Sequence, residues 1–132
     1  MMFKKYFTPQ EANKRLPYVK RIVEEILGKG LALRELVQKP QSMETKMKIE
    51  VLQSDLEDLM KELEQLGCFF KDWNFQIGLV DFPAVIGGET VFLCWRSDEP
   101  SIRWFHSMND GYAGRRLIPE YWLEDQSGRE KA

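Results

Sequence analysis

Leu79-Val80-Asp81-Phe82-Pro83-Ala84-Val85-Ile86-Gly87-Gly88-Glu89-Thr90-Val91-Phe92-Leu93-Cys94-Trp95-Arg96 is the stretch that decides the fold. Residues 79–86 and 89–95 are apolar runs rich in β-branched and aromatic side chains. Gly87-Gly88 between them is the two-residue turn of a tight hairpin. Closing that turn sets Ile86 opposite Glu89, Pro83 opposite Phe92, Asp81 opposite Cys94 and Leu79 opposite Arg96. Side chains alternate across a strand, so the hairpin has two faces. One carries Val80, Phe82, Ala84, Ile86, Val91, Leu93 and Trp95 and demands an apolar layer against it. The other carries Asp81 and Cys94, with Arg96 nearby. Pro83 has no N–H and marks an edge or a bulge.

Downstream, Ser97-Asp98-Glu99-Pro100 reads as a second turn and residues 102–106 as a third strand. A four-residue loop puts Arg103 opposite Cys94 and makes a polar row of Asp81, Cys94 and Arg103. The same parity sends Ile102 and Trp104 to the apolar face and ends that face at His106. Asn109-Asp110-Gly111 and Gly114 mark a loop. Upstream, Cys68-Phe69-Phe70 and Phe75-Gln76-Ile77 read as short β-like pieces.

Before residue 67 the period changes to that of helices. Thr8-Pro9-Gln10-Glu11 is a helix start, with Thr8 and Glu11 at capping-box spacing and Pro9 in the first turn. Ala12, Leu16, Val19, Val23, Ile26, Gly30, Leu33 and Val37 then alternate steps of four and three, a heptad seam. Pro17 inside it predicts a kink or a delayed regular part, and Gly28 and Gly30 weaken it unless a partner helix approaches closely at Gly30. Lys39-Pro40-Gln41-Ser42 ends this helix and caps the next. The second seam runs Ile49, Leu52, Leu56, Leu59, Leu63, Leu66, and Gly67 stops it. Residues 1–40 hold nine Lys/Arg and four Asp/Glu, residues 41–66 three and seven, so a basic helix lies beside an acidic one. Ile22, Leu27, Leu31 and Leu36 flank the first seam and need a cover from the β-region or from a second copy.

The fold class is therefore α+β: an N-terminal antiparallel helical hairpin, coiled-coil-like, packed on a small antiparallel β-sheet. The expected organisation is one domain over 1–123, with the hairpin at about 9–66, the β-region at about 68–118, and a polar C-terminal tail at 124–132. The 132 residues are 43% hydrophobic and 12% aromatic, enough for a real core. A net charge of −2 takes away the simplest case for nucleic acid. Lys4, Lys5, Lys14, Arg15, Lys20 and Arg21 read instead as the solvated face of a helix beside an acidic neighbour. No apolar stretch approaches a membrane span of about 18 residues, and no apolar leader is visible. The default expectation is a cytoplasmic protein without a cofactor.

Seven polar residues are the candidates for a pocket: Asp81, Cys94, Arg96, Glu99, Arg103, His106 and Arg115. An ionised aspartate among arginines suits an anion, and a thiol near arginine has a lowered pKa. Asp81 and Arg103 equally read as a structural cross-strand pair. His106 is the one histidine and the one group poised near neutrality. Cys94, His106, Asp81 and Glu99 lack recognisable metal-ligand spacing, so no metal is expected. Gly111-Tyr112-Ala113-Gly114-Arg115-Arg116 could cradle an anion, but it lacks the Lys-Ser/Thr of a P-loop.

Several segments together resemble one small bacterial family, that of domain of unknown function 2203. They are Phe7-Thr8-Pro9-Gln10-Glu11-Ala12-Asn13 with Leu16-Pro17, Leu66-Gly67-Cys68, Lys71-Asp72, Gly78-Leu79-Val80-Asp81-Phe82-Pro83-Ala84, and Val91-Phe92-Leu93-Cys94-Trp95-Arg96. Glu99-Pro100, Trp104-Phe105-His106 and Asp110-Gly111-Tyr112-Ala113-Gly114-Arg115 complete the set. The resemblance covers about residues 7–118 and implies no assigned activity. It also implies that Asp81, Cys94, Arg96, Glu99, His106 and Arg115 belong to a recurring motif block.

Three functions follow as expectations. The first is a non-catalytic binding or protein-interaction module. It forms a homodimer through its helices and offers a small polar pocket to an anionic small molecule or a protein partner. The second is an enzyme acting on an anionic substrate through Cys94, His106 and Asp81 with arginine anchors. The third, a nucleic-acid accessory protein, is disfavoured by charge.

Overall fold

The computed structural model describes residues 3–72 and 74–123. The expected tail at 124–132 lies outside the described residues. Helix α1 spans Pro9–Val37 and α2 spans Met43–Leu66. Strands β1 (Phe69–Phe70), β2 (Leu79–Ile86), β3 (Glu89–Arg96), β4 (Trp104–Ser107) and β5 (Arg116–Leu117) follow, and α3 (Glu120–Leu123) ends the described chain. The strands form one antiparallel meander in the order β1-β2-β3-β4-β5. The architecture is α+β, as the sequence predicts.

Local chemistry explains where α1 and α2 begin. The Thr8 hydroxyl accepts from the Glu11 N–H at 3.1 Å and the Glu11 carboxylate accepts from the Thr8 N–H at 2.9 Å, a reciprocal capping box. Ser42 caps α2 through the Thr45 N–H at 3.1 Å. Pro17 is carried inside a helix that runs unbroken from Pro9 to Val37.

The seams meet the sheet only in their lower half. Ala12, Leu16, Val19, Val23 and Ile26 of α1 and Leu56, Leu59 and Leu63 of α2 are buried against Val80, Phe82, Ala84, Val91, Leu93 and Trp95. Ile22 is covered as well. Toward the connecting loop the cover runs out, and Leu31, Val37, Met43, Met47 and Val51 are exposed. Gly30 does allow a close approach, but the neighbour is the Phe75 ring rather than another helix. A Cβ at Gly30 would stand 2.3 Å from Phe75 Cγ. Residues 75–77 are a loop and not a β-like piece. The Asp72 carboxylate gathers the N–H groups of Asn74, Gln76 and Ile77 at 2.7–3.0 Å and folds the segment back.

The β2–β3 hairpin has the predicted register throughout, and both turn glycines take positive φ, 58° and 82°. Pro83 lies where β1 has already ended. Its carbonyl accepts from the Phe7 N–H at 2.7 Å, so its N–H-less side faces that open edge.

The β3–β4 register differs from the sequence expectation by one residue. Cys94 pairs with Trp104, and Phe92 with His106. The connection is longer because α1 claims its backbone. Asn13 Oδ1 accepts from the Ile102 N–H at 2.8 Å and Asn13 Nδ2 donates to the Ile102 carbonyl at 3.2 Å. Ile102 enters the core as a loop residue and β4 starts only at Trp104. The consequence reverses the assignments: Arg103 points to the other face and is exposed, while Trp104 and His106 join Asp81 and Cys94.

Candidate functional site

Side-chain parity along β2, β3 and β4 now puts Asp81, Cys94 and His106 on the face turned away from the helices. All three are buried, at 4%, 1% and 3% exposure, where that face would ordinarily meet solvent. The expectation that His106 closes the apolar face is corrected, and so is the polar row through Arg103.

His106 is held from two sides. Its Nε2 is 3.1 Å from Asp81 Oδ1, and its Nδ1 donates to the Ser107 carbonyl at 2.8 Å. Its ring leans on Phe92 with centroids 5.6 Å apart. Burial by itself would push the imidazole pKa down. The hydrogen bonds the ring makes with Asp81, Cys94 and the Ser107 carbonyl, with the charge of Asp81, outweigh it and hold the ring up at about 10. One donor atom from each of Asp81, Cys94 and His106 lies within 4.8 Å of the other two.

These three side chains floor a cavity of about 260 Å³. Leu79, Phe92 and Met108 wall it, and Lys71 and Tyr112 stand at its mouth. The Lys71 ammonium lies over the Phe92 and Phe69 rings, 5.6 and 5.9 Å from their centroids. Lys71 and Tyr112 are absent from the residues that sequence reasoning singles out one by one. The signal was present, since both fall in segments of the family resemblance.

Arg96, Glu99 and Arg115 stand behind Tyr112 rather than in the cavity lining. Arg96 Nη1 donates to the Tyr112 hydroxyl, and its Nε donates to Asp98 Oδ1 at 2.6 Å. That pairing lowers the Asp98 pKa and raises that of Arg96. Arg115 Nη2 is paired with Glu99 Oε2, and the guanidinium lies over the Trp104 and Tyr112 rings at 4.5 and 4.9 Å. The other Glu99 oxygen accepts from the Arg96 N–H at 2.7 Å. Gly111–Arg116 therefore does not form an open anion cradle, because Arg115 turns inward to Glu99. The arginines position Tyr112, and Lys71 is a cation of the cavity that makes no ion pair among the described residues.

The geometry also bears on chemistry at Cys94. A His-assisted nucleophile needs one ring nitrogen toward the thiol and the other toward the carboxylate. Here Asp81 takes Nε2 and a backbone carbonyl takes Nδ1, so the Cys94 hydrogen bond to the ring shares a nitrogen that is already engaged. Cys68, the second thiol, lies outside this site: it donates to the Leu63 carbonyl at 3.5 Å, and burial pushes it up to about 12.

Among the described residues no helix is long and apolar enough to cross a membrane. Neither curated proteins nor solved structures yield a match to this chain. A family model does match, over residues 5–118, and that span holds α1, α2, the sheet and every residue of the cavity. The chain belongs to the family described as Uncharacterized conserved protein (DUF2203).

Proposed function

We propose that this is a binding module whose working site is the cavity floored by Asp81, Cys94 and His106, and that its ligand is a small molecule bearing an oxyanion. The observation that carries this reading is three buried polar side chains converging at the bottom of a half-open cavity. Asp81 is engaged with His106, while Lys71 at the mouth makes no ion pair among the described residues. A cavity of about 260 Å³ suits a molecule smaller than a typical drug. Calorimetric titration and thermal shift with inorganic phosphate, acetate and citrate test it. At least one probe should raise the melting temperature, and Lys71→Glu should remove that rise. If no probe shifts the melting temperature or perturbs amide resonances around the cavity, the reading is wrong.

A second reading, self-association through the hairpin, rests on a different surface. Leu36, Met43, Met47, Val51 and Leu52 line an open apolar groove of about 680 Å³ at the tip, with Met43 74% exposed. A second copy is the occupant that charge favours: a two-fold arrangement lays the basic α1 of one protomer along the acidic α2 of its partner. Light scattering should give a dimer, and Met47→Glu with Val51→Lys should give a monomer. A wild-type monomer at every concentration would rule the dimer out.

A further inference from the structure

We infer that Asp81, Cys94 and His106 are the three protein ligands of a divalent transition-metal ion of the zinc class, with a fourth position open to the cavity. This rests on the cavity being the working site and names what sits at its floor.

The topology brings the three together from three adjacent strands. Asp81 and Cys94 are direct cross-strand partners. His106 is paired with Phe92, two residues from Cys94 on the same face. Their donor atoms lie within 4.8 Å of one another, so a shift of about 1 Å brings them to the spacing of ligands around one ion with bonds of roughly 2.0–2.3 Å. Such a shift is within side-chain rotation.

The orientation of His106 is a second, independent observation. Its Nδ1 donates to the Ser107 carbonyl at 2.8 Å, which fixes the proton on that nitrogen. The opposite nitrogen, Nε2, is then the one turned toward Asp81, 3.1 Å from its Oδ1. Metal-bound histidines are commonly held this way, one N–H on a carbonyl or carboxylate and the opposite nitrogen on the ion.

The donor set selects the metal. A thiolate, an imidazole and a carboxylate suit zinc and its neighbours, whereas calcium and magnesium take oxygen alone. Three ligands with the fourth side facing a cavity is the pattern of an open zinc site rather than a closed structural one. That fourth position and Lys71 face one cavity, so an oxyanion bound there would share it with both. Binding the ion releases the Cys94 thiol proton and any proton shared by His106 and Asp81 to solvent.

The test uses the full chain, stripped with a chelator and titrated with Co²⁺ alone. One equivalent should give visible d–d bands and a near-ultraviolet band from sulfur-to-metal charge transfer. Cys94→Ser should lose the charge-transfer band, and Asp81→Asn and His106→Ala should weaken binding by at least about tenfold. Metal analysis of wild type purified without chelators should return one zinc per chain. Absence of both the bands and the zinc in wild type would overturn the site, whatever the variants do. So would a charge-transfer band that survives Cys94→Ser. If wild type takes no metal but still binds a probe anion in a Lys71-dependent way, the metal site falls and the binding module stands. If it takes metal and no anion, the reverse holds.

Discussion

His106 Nε2 lies 3.1 Å from Asp81 Oδ1 with both side chains buried on the sheet face that points away from the helices. A polar pair withdrawn from water this far is held by its mutual fit, because neither partner can turn to solvent. Removing one partner strands the other. In chelator-treated protein, Asp81→Ala should lower the unfolding free energy by about 3–5 kcal/mol in urea melts. Asp81→Ala with His106→Phe should cost less than the sum of the single changes, the mark of direct coupling. Additive losses would mean that the two groups do not support each other.

Asn13 should prove to be the residue that sets the β3–β4 register. It satisfies both backbone groups of Ile102 across the chain, and Ile102 is fully buried. Asn13→Ala leaves those groups without their partner at a cost of about 1–3 kcal/mol. Hydrogen exchange should show the Ile102 amide losing protection while the β2–β3 amides keep theirs. An unchanged Ile102 amide would contradict this role.

That clamp also explains where sequence reasoning stopped. The β2–β3 register is legible because Gly87-Gly88 fixes a two-residue turn and alternation does the rest. The helices are legible because Thr8, Ser42 and Gly67 mark their ends and the seams are regular. The β3–β4 connection carries turn residues at 97–100, which favour a short loop, but its true length depends on a side chain 89 residues away. Local patterns do not contain such a contact, and a one-residue slip inverts every side chain beyond it. Asp81 and Cys94 were therefore paired from the hairpin alone, whereas His106 reached them only in three dimensions. Charge and the motif block single out Arg96, Glu99 and Arg115 in the sequence, and in the fold they hold Tyr112 and each other.

Two glycines of α1 should respond in opposite senses to the same change. At Gly28 an added Cβ meets nothing within 4 Å, so Gly28→Ala should stabilise by about 0.5–1 kcal/mol through helix propensity. At Gly30 the Cβ would stand 2.3 Å from Phe75 Cγ, in a partly buried ring packed on the core. Gly30→Ala should cost about 1–3 kcal/mol from that overlap, reversing the propensity gain. Thermal melts of the two variants check this, and a stabilised Gly30→Ala protein would show that Phe75 is free to move aside.

The two thiols should separate by reactivity. Burial pushes Cys68 up to about 12, so at pH 8 it is almost entirely the unreactive thiol and lies sealed against the Leu63 carbonyl. Cys94 is equally hidden from bulk solvent, yet it lines a cavity that a small reagent can enter. Iodoacetamide on the native, chelator-treated protein should therefore label Cys94 first and Cys68 only on unfolding, as read by peptide mass spectrometry. Zinc added beforehand should slow the labelling of Cys94 and leave Cys68 unchanged, because an ion held by the thiolate removes the nucleophile. Labelling of Cys68 ahead of Cys94 would mean that the core opens more readily than the cavity admits a reagent.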